Sequence, residues 1–176
     1  AGRLQWYTGK NLGPAYSFWD LLQNAPDSDF YAFCDQDDVW DSDKLSVAIE
    51  AMRGDGNKPA LYFCQTRLVD ENLKEIESVT ISPLLTYGES LMYQFVTGCT
   101  MVINRAMRME LLSYKPSFIR MHDIWIYDVA QAIGASVHFD SVPHMSYRQH
   151  SSNVVGQVNS AAFVWKNRWR RIKKNE

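Results

Sequence analysis

The stretch Phe30-Tyr31-Ala32-Phe33-Cys34-Asp35-Gln36-Asp37-Asp38-Val39-Trp40 decides how this chain is read. Its first five residues, aromatic or small and apolar without alternation, predict a strand buried on both faces, as in a parallel α/β sheet. Three carboxylates follow at the strand's end, where open α/β sheets bind ligands. Two such charges ~5 Å apart repel by roughly 3 kcal/mol at an effective dielectric of ~20. A cation relieves that repulsion, and hard divalent ions prefer carboxylate oxygen. The same residues also fit a solvated acidic turn that caps the next helix.

Working outward, strands and helices alternate. Arg3–Tyr7 reads as a short strand and Gly9–Gly13 as a turn. Pro14 suits the first position of a helix, which carries Phe18, Leu21, Leu22 and Ala25 at helical spacing and ends before Pro26. Beyond the acidic loop, Asp41 or Ser42 caps a helix with Leu45, Ala48, Ile49 and Met52 on one face, stopped near Gly54-Asp55-Gly56. Ala60–Leu68 reads as a strand, Glu71-Asn72 as a turn, and Phe95–Asn104 as a strand interrupted by Gly98 that runs into a helix through Leu112. Ile124–Ile133 reads as a helix with Trp125, Val129, Ala132 and Ile133 inward, closed by Gly134. Val137–Phe139 and Val142–Tyr147 are extended. The alternation predicts an α/β layered fold.

With 176 residues the chain holds one domain with a real core. Hydrophobic residues make up 46%, which argues against disorder. No apolar run approaches the ~18 residues a membrane-spanning helix needs, and no signal peptide is expected. The three cysteines, Cys34, Cys64 and Cys99, all lie in apolar segments and read as buried free thiols of a reducing compartment, the cytoplasm. The net charge of −2 hides an asymmetry: residues 163–176 carry six Lys or Arg and one acid, a net of +5. The remainder carries 12 basic and 19 acidic side chains, or −7, which disfavours nucleic acid as a partner of the body.

Three more clusters carry candidate chemistry. Thr97-Gly98-Cys99-Thr100 places a glycine in a strand pattern, a sign of a close approach by ligand or backbone, or of a bulge. Met121-His122-Asp123-Ile124-Trp125 puts Asp123 at a helix start, where it also stabilises the helix electrostatically. Tyr147-Arg148-Gln149-His150 ends a strand; Arg148 and His150 suit an anionic ligand or a metal.

The order DQDDVW, TGC, HDIW and YRQHSSNVVG, from about Trp6 to Gly156, resembles the family-two glycosyltransferases, and within them the bacterial rhamnosyltransferase-like branch. Asn11-Leu12-Gly13 and the helix bearing Phe18 are similar to the segment that precedes the acidic motif there. The resemblance implies a GT-A-like mixed sheet flanked by helices. Family members open with a strand and Asp-rich turn that grip nucleobase and ribose. No counterpart occurs here, so residues 1–159 are expected to be the C-terminal two-thirds of such a domain, followed by a basic amphipathic helix over 160–176.

The activity implied is inverting transfer of a sugar, rhamnose among the candidates, from a nucleotide diphosphate sugar to a glycan or lipid-linked acceptor in bacterial surface polysaccharide synthesis. By the same resemblance Asp37 and Asp35 hold Mg²⁺ or Mn²⁺, with His150 as a further ligand, and Asp123 is the general base. Asp35, Asp38, Trp40, Gly98, Trp125 and Arg148 line the donor and acceptor sites. In the tail, Ala162, Trp165, Trp169 and Ile172 recur every three or four residues among basic side chains. Such a helix lies on an anionic membrane surface, here the inner face of the plasma membrane, or packs on the domain. A homodimer through an unpaired sheet edge is a further expectation. Two other readings compete. One is a catalytically silent fragment or binding module that keeps the metal and acceptor half. The other is a phosphotransfer or receiver-like domain, disfavoured because the acidic loop lacks the neighbouring Thr of the common phosphatase loop.

Overall fold

A computed structural model describes residues 4–76, 86–91 and 96–149. The chain has a mixed α/β fold with two mixed sheets flanked by helices. In the first sheet the order is β1 (Phe30–Ala32), β5 (Val102–Asn104), β3 (Ala60–Cys64), β6 (Ser136–Asp140). β1 and β3 flank β5 antiparallel, with Tyr31 and Leu61 both opposite Ile103, while β3 and β6 run parallel, Tyr62 beside His138. The second sheet is β2 (Val39–Trp40), β7 (Met145–Arg148), β4 (Arg67–Val69), with β7 antiparallel to β2 and parallel to β4.

β3 is buried at all five positions, and its alternation feeds two layers. Leu61 and Phe63 pack with Trp19, Leu22, Ile103, Met107, Ile126 and Tyr127, under α1 (Pro14–Asn24), α4 (Arg105–Ser113) and α5 (His122–Ala132). Ala60, Tyr62 and Cys64 meet Ala48 of α2 (Lys44–Ala51) and Met52, just past its end, on the other face. A short α3 (Tyr87–Ser90) is capped by Thr86, whose hydroxyl accepts the Glu89 N–H.

Local signals placed α1 well. Pro14 stands in its first turn, Gly13 precedes it at φ +78°, a value that favours glycine, and the helix ends at Asn24, two residues before Pro26. Gly134, at φ +65°, closes α5 as expected.

Other expectations are corrected. Phe30–Cys34 is not a doubly buried parallel strand: β1 stops at Ala32, pairs antiparallel with β5, and turns Tyr31 and Phe33 inward while Ala32 and Cys34 are exposed. Cys34 is thus a surface thiol, unlike buried Cys64 and Cys99. Residues 4–7 form no strand; Leu4 and Trp6 are exposed. Ala60–Leu68 splits at Gln65-Thr66, because the Gln65 N–H bonds the Asp140 carbonyl (2.9 Å) where the chain crosses from one sheet to the other. Around Gly98 the chain makes a tight turn, Gly98–Thr100, before β5.

Both amphipathic helices are rotated from the expected face. α2 buries Lys44 and Ala48, with Met52 just past its end, and exposes Leu45 and Ile49. α5 buries His122, Asp123, Ile126, Tyr127 and Ala130, leaving Trp125 and Val129 half-buried and Ala132 and Ile133 exposed. Asp43, not Asp41 or Ser42, occupies the N-cap of α2, since Asp41 is committed to a two-pronged pair with Arg67 (3.1 and 2.9 Å). His150, residue 95 and the tail 160–176 lie outside the described residues.

Candidate active site

The acidic loop starts just past β1 and ends in β2, so it joins the edge of one sheet to the other. Its exit is held by β7. The Arg148 backbone N–H donates to Asp38 Oδ1 (3.1 Å), while its guanidinium donates to the carbonyls of Asp37 (2.8 Å) and Glu71 (2.6 Å). Arg148 therefore acts as a strut for the loop.

Carboxylate oxygens of Asp35 and Asp38 and the Cys99 sulfur lie within 4.8 Å of one another. Burial first, then the charges of Asp38, Asp37 and Asp123, pushes the Asp35 carboxyl up to about 6. Burial also raises Asp38, opposed by the Cys99 thiol and the Arg148 N–H. Asp38 Oδ2 is buried with no well-formed hydrogen bond among the described residues; the thiol beside it is a weak donor. An orphaned carboxylate oxygen among crowded carboxylates is a donor set that suits a hard divalent cation. Asp37 is half-buried in the same loop.

Asp123, in the first turn of α5, is buried and belongs to the same neighbourhood, because its charge is one of those acting on Asp35. The link is the Gly98–Thr100 turn. Gly98 N–H donates to Asp123 Oδ2 (3.1 Å), and the next residue, Cys99, faces the acidic loop. Ile124 N–H donates to Asp123 Oδ1 (2.8 Å), so two backbone donors fix the carboxylate plane. Gly98 has no room for a side chain: a Cβ there would clash with His122 Nε2. The His122 ring is buried, stacked on Phe18 (centroids 4.2 Å apart) and 5.4 Å from Phe33, and burial lowers its pKa.

The structure thus gathers Asp35, Asp38, Gly98, Asp123 and Arg148 around one locality. Trp40 borders it, its ring 4.7 Å from the Lys44 ammonium. Trp125, two residues after Asp123, leaves another side of α5, is half-buried and lies near Tyr114 (ring centroids 6.3 Å apart). Residues that sequence reasoning passed over are Cys99, His122, Lys44 and Tyr147. The Tyr147 phenol is raised by burial and then by the charges of Cys99, Asp38, Asp35 and Asp37, which places it at the acidic cluster. Lys44 had a signal, the 44/48/52 spacing of one helix face.

No protein-family model matches the chain. It is similar to the dTDP-rhamnosyl transferase RfbG of Shigella flexneri, 27% identical over 158 residues that take in 82% of this chain and 52% of that protein. The chain therefore spans about half the length of this curated relative, and the similarity relates it to a glycosyltransferase. Among the described residues, no helix is long and apolar enough to cross a membrane.

Proposed function

We propose that this chain carries the metal and acceptor side of a family-two, GT-A-type sugar transferase. It would move a sugar from a nucleotide diphosphate sugar to a glycan or lipid-linked acceptor, with inversion, in surface polysaccharide synthesis. Rhamnose, the sugar in the relative's name, is the donor sugar to test first. The observation that carries the reading is the shared neighbourhood of Asp35 and Asp123, bridged by the Gly98–Thr100 turn.

Asp123 takes the proton of the acceptor hydroxyl as that oxygen attacks the anomeric carbon. The new carbon–oxygen bond forms on the face opposite the breaking bond to phosphate, and the nucleoside diphosphate leaves. The transition state has oxocarbenium character, as in glycoside hydrolysis. Gly98 and Ile124 N–H groups hold the Asp123 carboxylate in plane, so its remaining lone pairs are aimed before the acceptor arrives. Asp35, Asp37 and Asp38 would hold Mg²⁺ or Mn²⁺, which when bound supplies positive charge to the leaving diphosphate. Arg148 keeps that loop in shape through its bonds to Asp37 and Glu71.

In the full-length protein, Asp123→Asn should lower turnover by ~10²–10⁴-fold while donor affinity stays near wild type. Measuring product formation alongside calorimetric donor binding checks this, and wild-type turnover in the variant removes the base assignment.

A further inference from the structure

Lys44 is the first residue of α2 and is 0% exposed. Charged side chains are almost never fully buried unless paired. Its position also runs against the helix macrodipole, since a cation stands in the first turn beside the N-cap Asp43. A lysine held against two local penalties is the kind of conflict found at functional sites. Its surroundings explain how it is tolerated. The ammonium donates to the Cys99 carbonyl at 2.5 Å, lies 3.8 Å from Met145 Sδ, and sits 4.7 Å from the centre of the Trp40 ring. An ammonium has three N–H donors, and a carbonyl, a thioether and an aromatic face surround this one.

Those contacts belong to different parts of the site. Trp40 is in β2 at the exit of the acidic loop, Cys99 is in the turn whose Gly98 orients Asp123, and Met145 begins the strand that carries Arg148. Lys44 is close enough to Asp38 for their charges to interact, yet with no exposed surface it cannot reach a substrate.

We propose that Lys44 is a positioning residue for sugar transfer: its ammonium ties the Gly98–Thr100 turn to Trp40 at the exit of the acidic loop and sets a positive charge near Asp38. This rests on the transferase reading above. That charge competes with a divalent cation for Asp38, so the two roles have opposite signs when Lys44 is replaced. Lys44→Met removes both the charge and the hydrogen bond to Cys99. Lys44→Gln removes the charge but keeps an N–H donor.

Both variants should bind Mn²⁺ about tenfold more tightly than wild type at about pH 8, read by Mn²⁺ electron paramagnetic resonance. Turnover should fall in both, most in Lys44→Met, by about 10²-fold, with KM for the donor little changed. Thermal unfolding and near-ultraviolet circular dichroism identify the variants that fold, and Lys44→Gln stands in if Lys44→Met does not. Simple loss of packing predicts unchanged or weaker Mn²⁺ binding, and that result in a folded variant overturns the proposal. Wild-type turnover with unaltered Mn²⁺ affinity in the variants removes the Lys44 role alone. Mn²⁺ binding tightened by the substitutions, in a full-length protein that transfers no sugar, instead removes the transferase reading.

Discussion

Gly98 and His122 show how little freedom the site leaves a single residue. An alanine at position 98 would press its Cβ against the imidazole, which stacks on Phe18 and cannot retreat without disturbing that pair. Gly98→Ala should destabilise the fold by ~1–3 kcal/mol in urea unfolding, as overpacked sites do. Adding His122→Ala should return part of that loss, and strict additivity in the double-mutant cycle would contradict the contact. Asp35 offers a second test, through pH. Its carboxyl titrates at about 6, above the ordinary carboxylate value of ~3.9. A group raised in this way contributes stability that is present below about pH 4 and is lost as pH rises through about 6. Asp35→Asn should therefore raise the melting temperature at about pH 8 and leave it unchanged near pH 4. A variant that melts lower at about pH 8 would rule out carboxylate crowding there. Of the site, Asp35 and Asp38 were legible because carboxylates crowded after a strand carry a chemical signature, while Asp123 at a helix start was singled out by the family resemblance. Cys99 and Lys44 were not, because what makes them matter is a contact spanning 55 residues.

At the scale of elements, α1 and α4 are joined by Arg108. Its guanidinium donates to the carbonyls of Leu22 (3.0 Å), Gln23 (3.2 Å) and Ala25 (3.1 Å), satisfying the open C-terminal end of α1, and it lies against the Tyr31 ring. Arg108→Met keeps the apolar stem and removes the donors, so the buried Leu22 carbonyl and the part-buried Gln23 and Ala25 carbonyls lose their partner. Stability should fall by ~2–4 kcal/mol, read as a lower urea midpoint with an unchanged slope. Element boundaries were legible where proline or glycine set them, as at Pro14 and Gly134. The faces of α2 and α5 were less so. Several apolar stripes fit each sequence, and one residue of offset turns a helix by about 100°. The stripe that faces inward in α2 is the one whose Lys44 reaches the Cys99 carbonyl.

For the whole molecule, charge is divided between an acidic body and the basic segment 163–176, at −7 and +5. If that segment lies on a membrane, vesicles of anionic lipid should float the full chain but not a chain ending at 159, and less so in high salt. Equal flotation of both would remove the membrane contact. The two sheets meet where β3 passes to β4 and β6 to β7, and there the Arg67 guanidinium, paired with Asp41, also donates to the Pro143 carbonyl and Ser146 Oγ. That crossing brings the acidic loop, the Gly98 turn and β7 together.

The amino-acid order by itself determined the alternation of strands and helices, the proline and glycine boundaries, and the acidic motif after a strand, because these depend on neighbours a few residues away. Only the tertiary structure decided that β1 is an antiparallel edge while β3 is the strand buried on both faces. It also decided which helix faces turn inward and which lysine lies near Asp38. Burial and pairing are properties of contacts such as Asp38 with Arg148, 110 residues apart, and no local pattern encodes them.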